Sequence, residues 1–232
     1  MQIFYTPDIA IKPELPEEEA GHCIRVLRLG EGDEIVLTDG QGSFYKAAIS
    51  RAHPKHCEVT LLESWKQPDL WNFNLNIAIA PTKNMDRMAW FVEKATEIGI
   101  NAITCLNCRF SERKEIKPIR LEKILVSAMK QSQKATLPAL EGMTDFKKFV
   151  ATPFDGRKFI AHCEEGEKPL LKHTYQPGEN ALILIGWEGD FSPEEIKLAQ
   201  ENGFEPISLG ESRLRTETAA LVACHTIHVL NQ

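Results

Sequence analysis

Two glycine-bearing loops near the C-terminus are the segments best suited to bind a small molecule. The first is residues 185–191, Ile-Gly-Trp-Glu-Gly-Asp-Phe, and it follows the apolar run at residues 181–184. The second is residues 209–219, Leu-Gly-Glu-Ser-Arg-Leu-Arg-Thr-Glu-Thr-Ala, and it follows residues 206–208. Each pattern predicts a buried strand running into a loop where glycine lets a ligand approach the main chain. Because ligands bind beyond the strand ends of open α/β sheets, the two loops predict one binding site.

The chain from residue 72 onward predicts the elements that would position these loops. Strands and helices alternate along it, which indicates a parallel α/β sheet. The sequence at residues 192–195, Ser-Pro-Glu-Glu, combines a capping box with proline at the first helical position and so predicts a helix start. The predicted strands are residues 75–80, 102–106, 158–162 and 181–185, and the predicted helices run from about residue 86 to Gly99, over 118–134, from 193 to Gly203 and over 218–230.

The first 65 or so residues predict a separate, β-rich region. Short alternating runs separated by turn residues are typical of a small barrel. The predicted strands are residues 34–38, 44–49 and 57–62, after one helix over residues 16–27, and residues 65–70 are predicted to be a linker.

Composition predicts an ordinary globular protein of one or two domains. The 232 residues contain no apolar run near the roughly 18 residues of a membrane span, and residues 1–5 lack a secretory signal, so we predict a cytoplasmic protein. The six cysteines are predicted to be reduced thiols, because the one Cys-x-x-Cys pair, Cys105 and Cys108, lacks a second pair of metal ligands. We predict no metal site.

Positive charge is concentrated in one segment of an otherwise acidic chain. The net charge of the whole chain is −6, whereas residues 109–134 hold eight basic and three acidic residues, a net charge of +5. Phosphate contacts need lysine and arginine, so this segment permits RNA binding. A solvated helix face explains the same charge without RNA.

The sequences of the two glycine loops resemble those of the RsmE-like ribosomal RNA methyltransferases of the SPOUT class. That family shows a Gly-Pro-Glu-Gly-Gly-Phe loop, then Leu-Gly, then Leu-Arg-Thr-Glu-Thr-Ala, and residues 214–219 match the last motif without change. The first loop departs at Trp187, which replaces proline, and at Asp190, which replaces the last glycine. The resemblance implies an α/β fold with a C-terminal SPOUT domain at residues 72–232, containing a parallel sheet and a deep trefoil knot, and a small N-terminal PUA-like RNA-binding β-barrel at residues 1–68.

The resemblance also implies a cofactor, S-adenosyl-L-methionine, held by main-chain groups of three loops, the third lying near residues 162–164. The implied cofactor-binding residues are Ile185, Gly186, Glu188, Gly189, Leu209, Gly210, Ser212, Leu214 and Arg215. The implied reaction is methylation of N3 of a uridine in 16S ribosomal RNA of the small subunit. Its catalytic candidates are Arg215, which would stabilise negative charge on the uracil oxygens, and Glu217, which would orient Arg215 or accept the proton. A simpler interpretation is that Thr216 caps the last helix and Glu217 pairs with an arginine.

RNA would be held by the N-terminal barrel and the basic segment. The RNA-binding candidates are Arg25, Arg28, Arg109, Arg113, Lys114, Lys130 and Lys134. The last helix is apolar on several faces, which predicts burial in the fold or against a second copy, and the resemblance favours a homodimer.

Three other functions compare with this one as follows. A methyltransferase of the same fold could act on transfer RNA or on another atom. A non-catalytic RNA-binding protein with a PUA-like module would bind no cofactor, and the changes at Trp187 and Asp190 favour it. A Rossmann-type oxidoreductase is excluded, because residues 81–85 stand where its glycine-rich phosphate loop is expected.

Overall fold

A computed structural model describes residues 2–232 and divides them into two compact units. The first unit contains the residues up to Leu70 together with Val126–Leu137, and the second contains Trp71–Leu125 and Pro138–Gln232. Met1, the first residue of the predicted N-terminal domain, lies outside the described residues.

The first unit is built on a four-stranded sheet. β1 (Ile3–Tyr5) pairs in parallel with β2 (Glu34–Thr38), and β2, β3 (Ser43–Arg51) and β4 (Glu58–Lys66) form an antiparallel meander. A short helix, α1 (Glu17–Gly21), continues into one turn of π-helix at His22–Val26. Alternate residues of the strands, among them Phe4, Leu37 and Ile49, pack with Cys23 in a core that is almost fully excluded from solvent.

The second unit is built on a six-stranded sheet in which every pairing is parallel. The strands lie in the order β10-β8-β9-β5-β6-β7. The central strand β9 is apolar at all five positions and buried throughout, as expected for a strand covered on both faces. The strand bounds are β5 (Leu75–Ile79), β6 (Ala102–Asn107), β7 (Ala139–Asp145), β8 (Arg157–Ala161), β9 (Ala181–Ile185) and β10 (Glu205–Ile207). The predicted parallel α/β sheet is therefore confirmed.

The helices of the second unit begin and end largely where the sequence predicts. The Ser192–Glu195 capping box is formed on both sides, with Pro193 at the first helical position. Gly99 closes α2 at φ 136°, and no other residue fits there, because a Cβ would lie 2.8 Å from the rings of Trp71 and His228. The bounds are α2 (Met85–Ile98), α4 (Phe146–Val150), α5 (Leu171–Thr174), α6 (Pro193–Glu201) and α7 (Thr216–Leu230). A further helix, α3 (Pro118–Gln131), belongs to the second unit up to Leu125 and to the first unit from Val126.

Several elements differ from the sequence prediction. β4 runs to Lys66, so the first two residues of the predicted linker belong to a strand. α3 ends at Gln131 rather than Lys134, because Gln133 adopts a left-handed φ of 55° that no α-helix can continue through. The single helix predicted over residues 16–27 is α1 followed by the π turn. The strands β1 and β7 and the short helices α4 and α5 were not predicted.

Candidate active site

A cavity of about 980 Å³ opens at the carboxyl ends of three neighbouring strands. Ala161 of β8 pairs with Ile185 of β9 on one side and with Ile207 of β10 on the other, so the three strands end side by side. The segments that follow them, residues 161–168, 185–190 and 207–216, supply most of the cavity wall. The two glycine loops thus contribute to one cavity, and the third segment joins them.

Eight of the nine predicted cofactor-binding residues line this cavity. They are Ile185, Gly186, Glu188, Leu209, Gly210, Ser212, Leu214 and Arg215. Gly189 is the exception, and it has a packing role: a Cβ there would lie 3.1 Å from two ring atoms of Trp187. The indole of Trp187, which replaces the proline of the family pattern, lines the cavity and packs against the buried core of the unit.

The second change in this loop, Asp190, occupies a backbone conformation that suits glycine. Its φ is 68°, in the left-handed region that glycine adopts freely and aspartate tolerates better than most residues. The Asp190 N–H donates to Trp187 O at 2.7 Å, which closes a tight turn. The chain path of a glycine-bearing loop is therefore kept although the glycine is replaced.

The second glycine loop begins where β10 ends. Gly210 has a φ of 134°, a conformation that residues with a Cβ rarely adopt, and the space around its missing Cβ is open. The hydroxyl of Ser208 accepts from the Gly210 N–H at 3.2 Å and donates to the Gly210 carbonyl at 3.1 Å, which fixes the turn. The N-cap of α7 is Arg215, without a side-chain cap, so the predicted capping role of Thr216 is wrong; Thr216 is the first helical residue.

Arg87, on the first turn of α2, joins the two glycine loops. Its Nη1 donates to Glu188 Oε1 at 3.3 Å, and its Nε lies 3.7 Å from Glu217 Oε1. Arg87 lines the cavity, yet it was not among the predicted site residues. Residues 86–88, Asp-Arg-Met, are close to the sequence of the RsmE-like family at this position, and this match is the signal that could have pointed to Arg87.

The two catalytic candidates lie in different surroundings. Arg215 is exposed and lines the cavity, and its guanidinium has no hydrogen-bond or ion-pair partner among residues 2–232. Glu217 is only 6% exposed, and its Oε2 is buried without a hydrogen-bond partner in the described part of the chain. Glu217 pairs with Arg87 and not with Arg215. This confirms the simpler interpretation, in which Glu217 pairs with an arginine.

The third wall segment contributes His162 and Cys163. The Nδ1 of His162 is buried and has no partner among the described residues, and burial lowers the pKa of the imidazole below its ordinary value. Cys163 is the exposed one among six free thiols. Burial raises the pKa of Cys105 and Cys224 to about 12, which makes these thiols unreactive.

The basic residues predicted to bind RNA are partly engaged within the protein. In the second unit Arg109 pairs with Glu194 at 2.9 Å, Arg113 donates to the Lys83 carbonyl at 2.9 Å, and Lys114 donates to Asn107 at 3.1 Å.

In the first unit Lys130 pairs with Glu19 at 2.5 Å, and Lys134 is buried at 8% exposure. Arg25 and Arg28 are exposed, beside the exposed Val26 and Leu27. The count of basic residues therefore exceeds the positive charge that is free to meet a ligand.

Residues 2–232 hold no group of three or more His, Cys, Asp or Glu side chains placed to bind a metal ion. None of their helices is both long and apolar enough to cross a membrane.

Comparison with known proteins identifies the family. Residues 69–228 match the family model of the RNA methyltransferase domain, and residues 15–62 match that of the RNA methyltransferase PUA domain. Ribosomal RNA small subunit methyltransferase E of Rickettsia conorii is 28% identical over 94% of this chain and 90% of its own length.

Two solved structures share the fold over almost the whole chain. A protein from Porphyromonas gingivalis described as a probable rRNA-methyltransferase is 46% identical, with a TM-score of 0.94 and coverage of 100% of this chain and 98% of its own. Ribosomal RNA small subunit methyltransferase E of Neisseria gonorrhoeae, bound to S-adenosyl methionine, is 25% identical, with a TM-score of 0.86 and coverage of 99% and 98%. The chain therefore belongs to the RsmE-like family of ribosomal RNA methyltransferases, with a PUA domain in its N-terminal region.

Proposed function

We propose that this protein transfers a methyl group from S-adenosyl-L-methionine to N3 of a uridine in 16S ribosomal RNA of the small subunit. One observation carries the proposal: the two glycine loops and the segment after β8 line a single cavity at the ends of three parallel strands. This is where open α/β sheets bind small molecules. The relatives named above as small subunit methyltransferases support the choice of substrate.

The residues of the cavity fit this cofactor. The volume of about 980 Å³ accommodates a nucleoside with an amino-acid tail. The buried Nδ1 of His162 and Nε1 of Trp187 have no partners among the described residues, and both residues line the cavity. The carboxylates of Glu188 and Asp190 on the wall favour a positively charged group. When bound, S-adenosyl-L-methionine supplies an activated methyl group on its sulfonium.

The protein must then help the uracil lose its N3 proton, because the nitrogen lone pair is needed to form the new bond. We assign Arg215 to the uracil oxygens, where its unpaired guanidinium stabilises the negative charge that develops as the proton leaves. We assign Glu217, which neighbours the lining residue Thr216 but does not itself line the cavity, as the proton acceptor. Its Oε2 is buried and has no partner among residues 2–232, so this role requires the second loop to move when RNA binds. Arg87 holds the other oxygen of this carboxylate and links it to the first glycine loop.

RNA binding and assembly complete the proposal. Arg25 and Arg28 in the first unit, and Arg109, Arg113 and Lys114 in the second, contact RNA phosphates, and the target uridine is turned out of its stack to reach the cavity. Residues 1–68 act as the PUA-like RNA-binding domain, and residues 72–232 as the knotted catalytic domain of a cytoplasmic homodimer. Half-exposed Val229 on α7 and Trp90 on α2 support the dimer, since these helices pack together and keep apolar surface outside.

The test is methyl transfer to defined RNAs. Purified protein is incubated with labelled S-adenosyl-L-methionine and, separately, with small ribosomal subunits from cells lacking the modification, naked 16S ribosomal RNA, and transfer RNA. We expect label in 16S ribosomal RNA, and none in transfer RNA. Cofactor binding without label in 16S ribosomal RNA would reassign the substrate, and absence of cofactor binding would favour an RNA-binding protein without catalysis.

A further inference from the structure

Asp190 is the point at which the first glycine loop and the segment after β8 are joined. Its Oδ2 accepts a hydrogen bond from the Cys163 N–H, and its Oδ1 accepts from the Phe191 N–H at 2.8 Å. Cys163 follows β8 and Asp190 follows β9, so one carboxylate spans the loops of two neighbouring strands.

The carboxylate also lies close to Gly186 in the first loop. A Cβ on Gly186 would lie 3.1 Å from Asp190 Oδ1, and both residues line the cavity. Any shift of this carboxylate therefore changes the wall formed by Gly186 as well as the position of Cys163.

The backbone conformation of Asp190 is strained, and the hydrogen bonds of its side chain compensate for that strain. Three residues other than glycine have a positive φ in the described part of the chain, namely Arg28, Gln133 and Asp190. Glycine would adopt the φ of 68° without strain, but it has no carboxylate to hold the Cys163 N–H. A hydrogen bond to a charged acceptor is stronger than one between neutral groups, so it can offset that strain.

We propose that Asp190 is a positioning residue that fixes the cofactor cavity before the ligand arrives, by holding residues 162–166 against the first glycine loop. This inference rests on the proposed function, because it assigns the cavity to S-adenosyl-L-methionine. It further implies that the Cys163 N–H, already occupied by Asp190, is not offered to the cofactor. Rigid loops bind with less loss of conformational entropy, so removal of the contact should weaken binding.

The experiment compares two substitutions at this position with a control elsewhere. Asp190→Gly removes the contact and the backbone strain together. Asp190→Asn keeps a residue that tolerates the left-handed region, but it has one acceptor oxygen for the two N–H donors and no charge. Gln133→Gly relieves the same kind of strain, at φ 55°, at a residue of the first unit that is not part of the cavity lining.

Two readouts separate this proposal from the proposed function. Hydrogen exchange of residues 162–166 is measured in the protein without ligand, and the affinity for S-adenosyl-L-methionine is measured by calorimetry. We expect faster exchange and about tenfold weaker binding for Asp190→Gly, an intermediate effect for Asp190→Asn, and no change of either for Gln133→Gly.

Unchanged exchange and unchanged affinity in Asp190→Gly would overturn the positioning role while leaving the function intact. If Asp190→Gly exchanges faster but the wild-type protein binds no S-adenosyl-L-methionine, the contact orders residues 162–166 without serving this cofactor. That result would overturn both the positioning role and the proposed function. Weaker binding accompanied by wild-type exchange would assign the effect to the lost negative charge and would also overturn the positioning role.

Discussion

The cavity depends on main-chain geometry, whereas the basic segment at residues 109–134 depends on charged side chains. The cavity is shaped by main chain, with Gly210 at φ 134° and loops that begin at strand ends in register. The basic segment depends on side chains, and several of those are already paired with carboxylates or carbonyls of the protein. Backbone geometry is a direct consequence of local sequence, whereas the charge free to act depends on distant partners. Cofactor binding should therefore respond to changes in the main-chain geometry of the loops, which include loss of the Asp190 contact that holds them. Chemistry and RNA binding should respond to the loss of individual charged side chains.

The largest expected effect is on turnover, from Arg215→Ala. The substitution removes the guanidinium but leaves the main chain of the second loop, so we expect kcat to fall about 100- to 1000-fold while the cofactor dissociation constant stays near wild type. Single-turnover transfer and calorimetry measure the two quantities. Arg215→Lys keeps a positive charge and should recover part of the loss. An equally large loss of cofactor affinity in Arg215→Ala would contradict this prediction, because it would show that the side chain binds the cofactor.

The second effect, on the proton acceptor, comes from Glu217→Gln. The amide has the shape of the carboxylate but cannot take the N3 proton, so we expect kcat to fall about 100-fold at neutral pH. The measurement is kcat across a pH series, in which the variant should lose less at high pH, where the uracil ionises unaided. A lowered melting temperature with kcat near wild type would show that Glu217 serves only to hold Arg87.

A smaller effect should follow from Gly210→Ala, which tests the backbone side of the comparison. A methyl group has space at this position, but the φ of 134° is strained for alanine, at a cost of about 1–3 kcal/mol. We therefore expect cofactor binding to weaken about 5- to 100-fold as the loop moves to relieve the strain.

Gly178→Ala is the control for this prediction. Gly178 also has a positive φ, 84°, and open space around its Cβ position, but it does not line the cavity. Both variants should lose some thermal stability, and only Gly210→Ala should lose affinity. Equal affinity in the two variants would mean that the second loop is not shaped for the ligand.

The smallest effect should distinguish free from paired basic residues. Exposed Arg25 can reach a phosphate, so Arg25→Ala should reduce the slope of log affinity for RNA against log salt by about 0.7–0.9. Lys130 is 21% exposed and held by Glu19, so Lys130→Ala should lower the melting temperature and leave that slope nearly unchanged. Salt titrations with 16S ribosomal RNA measure the slopes, and equal slopes for the two variants would contradict the distinction.

The sequence predicted the cavity because its determinants are contiguous. Residues 185–191 and 209–219 contain glycines, strand ends and helix starts within short stretches, so the local sequence was sufficient to predict the cavity. Arg87 was missed because its partners, Glu188 and Glu217, are more than a hundred residues away, and their proximity is created by the fold.

The role of the basic residues could not be read for the same reason. Lys130 pairs with Glu19 across 111 positions of the sequence, and a count of charged residues does not reveal such a pair. β7 was missed because it contains no apolar run: four of its seven residues are exposed, none is buried, and one is Gly142. Asp190 is visible in the sequence as a change in the loop, but its contact with Cys163 joins residues 27 positions apart and is created by the fold.

The most direct test of the central claim is to identify the methylated atom. Small subunits from cells lacking the modification are treated with the protein and S-adenosyl-L-methionine, and the 16S ribosomal RNA is digested to nucleosides for mass spectrometry with authentic standards. We predict a single new nucleoside, N3-methyluridine, formed at no more than one residue per RNA molecule. A methyl group on carbon 5, on the ribose or on another base would contradict the assignment of Arg215 and Glu217 to the ionisation of uracil N3.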